Sequence, residues 1–311
     1  MLSFSKDFSK KITAITLVLL LLSAFLIFFL GIKKGLDFQG GVVTEFVLNN
    51  SKFSIPNKEN VVELRYILQN ELLESFNLQI VGGERWVLSV ASAKVASDKQ
   101  SEDIANKLHH LLGKSMTIVK SEYVGPQVTK ILYKQAITGL SLALLAMLIY
   151  VTFRFNFTFG YVATICLLHD ILLSILFISV SKIETNLTIV AALLTIIGYS
   201  INNTIVIYDR IRNVVKSNST NENLISYSVK KVLKRTLITS LLTIFSLLGL
   251  IFFSDVSIKN FALTVIFGIV VGGYSSTILA PSLLILFRAS LNFVDHDTKY
   301  ATIKKPHHYS S

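Results

Sequence analysis

Four groups of polar side chains lie inside long apolar runs, where an ionisable or amide group is costly and marks an ion pathway or a helix contact. His169 and Asp170 fall within the run 159–181. Ser200, Asn202, Asn203 and Thr204 cluster toward the end of the run 187–208. Arg235 opens the run 236–254 and is followed by Thr236, Thr239 and Ser240. Gly268 and Gly272, with Gly273, Ser275 and Ser276 nearby, thin the last run so that another helix can approach closely. A carboxylate or an imidazole can take up and release a proton, whereas hydroxyls and amides only donate and accept hydrogen bonds. Each group also has a plain structural use. Asn203 and its neighbours can bond helices together, Arg235 can snorkel to headgroups beside Lys234, and His169 can neutralise Asp170 locally.

The elements that must position these groups are membrane spans. Crossing about 30 Å of hydrocarbon takes roughly 18 or more apolar residues as a helix. Six segments qualify: 12–32, 133–153, 159–181, 187–208, 236–254 and 261–287. The first follows Lys6, Lys10 and Lys11 but lacks an A-x-A site at Gly31-Ile32-Lys33-Lys34, so an uncleaved span is expected. With 52% hydrophobic residues and a mean hydropathy of +0.60, the 311-residue chain is a multi-span membrane protein by composition. Its net charge of +11 would suit nucleic acid, but residues 33–132 carry 12 Lys/Arg against 11 Asp/Glu. The excess therefore flanks the spans, which is the positive-inside pattern. Arg154, Arg210, Arg212, Lys216, Lys230, Lys231 and Lys234 fall on one side, and only Lys182 and Lys259 on the other short loops. Both termini are thus expected to be cytoplasmic, with 34–132 outside. Asp209-Arg210-x-Arg212 would anchor a helix end at that boundary. Cys166 is the single cysteine, so no disulfide can form within the chain.

Residues 34–132 change pattern. Val42–Leu48 reads as a strand, Glu59–Phe76 as a helix, and Leu78–Val81 with Arg85–Ala91 as a hairpin through Gly82-Gly83-Glu84. Gln100–Leu112 reads as a second helix and Met116–Val124 as a last strand. The order βαββαβ is that of a ferredoxin-like α+β domain. No catalytic triad, phosphate loop or metal spacing stands out, and His109-His110 reads as a solvated pair. A binding or lever module is expected, with no catalytic residue, cofactor or metal. The organisation is then a first span at 1–33, the external domain at 34–132, a five-helix bundle at 133–287 with a cytoplasmic loop at 210–234, and a cytoplasmic tail at 288–311.

Six motifs in register resemble the SecD/SecF family of protein-export subunits. Gly35-Leu-Asp-Phe-Gln-Gly-Gly41 is similar to G-[IL]-D-F-x-G-G after the first span, and Val124-Gly-Pro-Gln-Val128 to V-G-P-x-[VI] before the second. His169-Asp170 matches an HD pair in the third span, and Ile197–Arg212 resembles I-G-Y-S-[IL]-N-D-T-x-V-x-x-D-R-I-R in the fourth. Arg235–Ser240 matches R-T-[LI]-x-T-S, and Tyr274-Ser-Ser276 the Y-S-S of the sixth. Length and a single external domain favour the SecF branch. The resemblance implies an RND-superfamily half-transporter in the bacterial inner membrane, which pairs with SecD and uses the proton (or sodium) motive force to complete preprotein translocation. Implied partners are SecD, the SecYEG translocon, YajC, YidC, preprotein and membrane lipids, without nucleic acid. Asp37, Gly40, Gly41, Gly125 and Pro126 would then serve as hinges between domain and membrane.

One position departs. Where the family carries its intramembrane Asp, this chain has Asn203, and Asn213 stands where Glu is common. An amide cannot switch charge, and Arg235 would lose the counter-charge expected beside it. Three readings stay open: SecD carries the ion pathway, Asp170 substitutes within this chain, or coupling is impaired. The corresponding alternatives in function are a structural SecD partner without its own relay and a small-molecule efflux transporter of the same superfamily.

Overall fold

Ser5 starts the first helix by accepting the Phe8 N–H on its hydroxyl, with Asp7 in the first turn complementing the helix dipole. This helix, α1 (Lys6–Leu30), ends at Gly31, whose φ of 68° suits a residue without Cβ. The computed structural model describes residues 4–49, 58–72, 76–81, 85–91, 99–112, 116–217, 222–254 and 256–287. After a short helical turn α2 (Leu36–Gln39) come β1 (Gly41–Leu48), α3 (Lys58–Leu72), β2 (Phe76–Val81), β3 (Arg85–Ala91), α4 (Lys99–Leu112) and β4 (Met116–Val124). The sheet order is β2-β3-β1-β4 with every neighbouring pair antiparallel, the ferredoxin-like arrangement that the element order predicts. Strand β1 alternates, burying Val42, Thr44, Phe46 and Leu48. Leu64 and Leu68 of α3 and Leu108 of α4 join them over Trp86 and Leu88. Phe76, expected to close the first helix, instead opens β2. The predicted Gly82-Gly83-Glu84 turn and the tail 288–311 lie outside the described residues.

The remaining helices are α5 (Pro126–Arg154), α6 (Phe157–Val180), α7 (Leu187–Ser217), α8 (Glu222–Phe253) and α9 (Val256–Tyr274), followed by a π-helical turn (Ser275–Leu279) and α10 (Ala280–Leu286). Together with α1 they make six spans long and apolar enough to cross a membrane. Helices α6, α7 and the last span are largely buried, while α1, α5 and α8 expose most of their surface. The last span meets α7 where Gly268 abuts Ile196: a Cβ at Gly268 would lie 2.3 Å from that side chain. Gly160 similarly admits Thr152, bringing α5 against α6. The segment 210–234, expected as a loop, is mostly helix: α7 runs on to Ser217 and α8 begins at Glu222. Polarity ended the predicted spans, yet nothing in those residues breaks a helix, so each continues beyond its apolar run.

The path from α1 into the domain is stitched to the turn between α6 and α7. Ser179 Oγ donates to the Gly31 carbonyl (2.6 Å), Thr185 N–H to Lys33 O (2.8 Å), and Gly35 N–H to Thr185 O (2.7 Å). Lys33 pairs with Glu184 at 2.7 Å. Gly35 is required by closeness, since its Cβ would sit 2.9 Å from the Thr185 carbonyl oxygen.

Candidate functional site

Asp170 is fully buried near the middle of α6. Its Oδ2 accepts the Ser200 hydroxyl of α7 at 2.5 Å and the Ser275 hydroxyl of the π-helical turn at 2.7 Å. Its Oδ1 lies 2.9 Å from His169 Nδ1. Both distances lie in the range of O–H···O hydrogen bonds, about 2.5–3.0 Å. Three spans therefore converge on one carboxylate. Room for it comes from Gly272, where an added Cβ would stand 3.5 Å from Oδ2 and 3.1 Å from Ser200 Cβ. The π-helical turn swings Ser275 inward; such bulges widen a helix locally and cluster at functional sites. His169 is 1% exposed and its Nε2 has no protein partner among the described residues. A buried carboxyl and an adjoining imidazole can exchange a proton without either leaving the membrane interior.

The other expected residues divide. Thr204 is buried but returns its hydroxyl to the Ser200 carbonyl (3.1 Å), so that hydroxyl is satisfied within α7. Asn203 is buried, and its Nδ2 donates to nothing among the described residues. Asn202 is exposed on the outer face of α7. Arg235 is not brought in. The Tyr199–Ser240 hydroxyl bond (3.1 Å) sets the register of α7 against α8, so α8 presents buried Thr236 to α7 while Arg235, about 100° further round the helix, points out. No ion-pair partner for Arg235 occurs among the described residues. Asp209 anchors the end of the bundle that carries the basic residues: Arg154 lies 3.6 Å away and Asn213 donates to it at 3.1 Å. Arg210 reaches Tyr227 of α8. Gly268 and Gly272 form the close approach between α9 and α7, whereas Gly273 meets no neighbour at its Cβ position.

At the other end, Asp37 Oδ2 accepts the Leu187 N–H at 2.9 Å, and Asn186 Oδ1 accepts the Ile189 N–H at 3.0 Å. Two side chains thus cap the start of α7, the helix that carries Ser200 and Asn203. Gly40 and Gly41 take positive φ values of 77° and 140°, which a side chain would strain. Gly125 and Pro126 begin α5, with proline in the first turn where its missing N–H costs nothing.

A family profile described as "Protein export membrane protein SecD/SecF, C-terminal" matches residues 103–290. The SecF protein translocase subunit of Calditerrivibrio nitroreducens is 36% identical over 288 residues, covering 90% of this chain and 92% of that one. That of Rickettsia rickettsii is 34% identical over 286 residues, covering 89% and 90%. The chain belongs to the SecF family of protein translocase subunits. It also superposes on the crystal structure of SecDF, a translocon-associated membrane protein from Thermus thermophilus, with a TM-score of 0.76 and 29% identity. The match covers 92% of this chain and 39% of that one, so the chain spans about two fifths of the SecDF polypeptide.

Within this SecF-family fold, sequence reasoning found Asp170, His169 and Ser200 but treated Ser275 only as a small residue beside the Gly268–Gly272 contact. The Tyr274-Ser-Ser276 match was its one signal. That signal says nothing of direction, because the π-helical turn decides which way the hydroxyl points. The buried hydroxyls of α1 were missed altogether. Their run reads as a plain apolar span, with Ser9, Thr16 and Ser23 scattered among leucines.

Proposed function

We propose that this chain pairs with a SecD subunit and that the pair draws on the proton (or sodium) motive force to drive late preprotein translocation. Both termini are cytoplasmic in this reading, the membrane is the bacterial inner membrane, and the ferredoxin-like domain faces outward to meet preprotein. SecYEG, with YajC and YidC, supplies the translocon side. Asp170 is the group that changes charge, in place of the carboxylate missing at Asn203. The observation that supports this is the convergence of Ser200, Ser275 and His169 on one fully buried carboxylate, from two neighbouring spans and its own. Ionised, its Oδ2 accepts both hydroxyls as charge-assisted bonds; a proton on Oδ1 removes that charge and weakens both, which loosens α7 and the last span against α6. Asp37 ties the start of α7 to the segment entering the external domain, so a shift of α7 is passed outward.

The test uses inverted vesicles that contain the full chain, its SecD partner and the translocon. Preprotein export is followed with and without a proton-motive force. Asp170→Asn is expected to co-purify with SecD yet to export at the level seen without the force. Undiminished force dependence in Asp170→Asn would sink the coupled reading. It would favour the second one, a structural SecD partner, which draws support from the neutral Asn203 and from an Arg235 that points away from the cluster.

A further inference from the structure

We propose that the inward face of α1, with Tyr274 and Ser282, lines a hydrated lead that carries protons between the terminal end of the bundle and the His169–Asp170 pair; this rests on the reading of Asp170 given above. The fully buried residues of α1 are Ser9, Thr16 and Ser23, all hydroxyl-bearing, with half-buried Thr13 among them. Its outward face is apolar: Leu17, Val18, Leu21, Phe25 and Phe28 are exposed. Serine and threonine, like alanine and glycine, let helices pack closely, so a sign of a further role must be sought elsewhere than in their size.

Their bonding supplies it. Many hydroxyls inside the helices fold back onto the preceding turn: Ser23 of α1 to Leu20, Thr164 to Gly160, Ser174 to Asp170, Thr195 to Ala191, Thr264 to Asn260. Ser9, Thr13 and Ser282 do not, and have no protein partner among the described residues. A buried polar group left unpaired is destabilising, and water is the usual partner where the lining is polar.

These groups form a line. Thr16 Oγ1 and Tyr274 OH are 3.0 Å apart, which fixes α1 against the last span running the opposite way. At about 1.5 Å per residue, Ser9 lies roughly 10 Å and Ser282 roughly 12 Å beyond that bond toward the terminal end. The two unpartnered hydroxyls are therefore level, on helices that pack together, with Thr13 between them and Thr16. On its other side the Tyr274 ring stands 6.1 Å from the His169 ring. His169 uses Nδ1 on Asp170, which leaves the unpartnered Nε2 on the far edge of the ring from the carboxyl.

The transfer balances. A protonated Asp170 gives its Oδ1 proton to Nδ1 while Nε2 releases one to water. Asp170 ends as carboxylate, the imidazole as the other neutral tautomer, and the water as hydronium; the reverse sequence loads the carboxylate.

The probe is Ag⁺, an ion of nearly water size that reacts with thiols and does not enter lipid. In vesicles holding the chain with SecD and the translocon, on a Cys166→Ala background, Ser9→Cys, Thr13→Cys and Ser282→Cys are exposed to Ag⁺. The thiols left unreacted are then counted by alkylation after unfolding. All three are expected to be consumed, and lipid-facing Leu17→Cys to be spared. Consumption of the three at the Leu17→Cys rate would overturn the hydrated lead. A plug provides the second arm: Thr13→Leu is expected to retain SecD binding and lose force-dependent export, and Thr13→Ser to keep it. Full force dependence in Thr13→Leu, with Asp170→Asn inactive, overturns the lead and spares the coupled reading. Undiminished force dependence in Asp170→Asn overturns the coupled reading, and Ag⁺ reactivity then judges hydration by itself.

Discussion

The ferredoxin-like domain and the helix bundle bury opposite kinds of side chain. In the domain the core is Phe46, Leu64, Leu68, Trp86, Leu88 and Leu108, and Thr44 of β1 is the buried polar side chain among its described residues. In the bundle His169, Asp170, Ser174, Ser200, Asn203, Ser275 and Ser276 are buried, while Phe28, Phe153, Phe245 and Phe253 face outward. Water drives apolar surface inward, whereas lipid provides no such drive between helices and leaves close packing and polar contacts to hold them. The difference separates the roles of the two regions. The domain is held by its apolar core, and the bundle carries a buried carboxylate and hydroxyls at some cost to stability.

The comparison breaks first in the domain. Trp86→Ala empties the centre of an apolar core and is expected to destabilise the domain by about 3–5 kcal/mol, seen as a lower thermal midpoint by circular dichroism. An unchanged midpoint would mean that the domain does not rely on that core. In the bundle the largest packing effect is expected at Gly268. Gly268→Ala presses on Ile196 and should cost about 1–3 kcal/mol, with Ile196→Ala in the same chain recovering part of it. Additive losses in that double variant would disprove the contact. Asp37→Ala removes one of two caps from α7 and should cost about 0.5–2 kcal/mol, with faster hydrogen exchange at the Leu187 amide. Protection unaltered at that amide argues against the cap. The smallest effect is expected at Asn203→Ala: removing a buried donor that has no partner among the described residues should leave stability in detergent unchanged or slightly raised. A clear loss there would reveal a partner for Asn203.

Much of this was legible in the sequence. β-Branched and aromatic residues give β1, and a 3.6-residue apolar spacing gives both domain helices, because each has one wet face and one dry face. Apolar length gives six spans, and the HD and Y-S-[IL]-N elements point to Asp170 and Ser200. What failed depended on direction. Whether Arg235 would turn toward Asp170 stayed open, because neighbouring residues on a helix differ by about 100° and an apolar run carries no sign of which face is inward. Ser275 reaches Asp170 through a π-helical turn that no propensity announces. The hydroxyls of α1 were hidden by composition: a few serines and threonines barely alter the hydropathy of a 25-residue helix, yet they make up its buried face. The continuation of α7 and α8 through 210–217 and 222–234 was missed because polarity was taken as the end of a helix when it was only the end of the apolar run.

The central claim is that the charge change sits on Asp170 and not at position 203. The most direct measurement compares Asp170→Asn, Asn203→Ala and Asn203→Asp with the unmodified chain in vesicles containing SecD and the translocon, and follows export with and without a proton-motive force. The account predicts that Asp170→Asn alone loses the dependence and that both Asn203 variants keep it. If Asn203→Asp gains strong dependence while Asp170→Asn changes nothing, the relay belongs at position 203 and the account is contradicted.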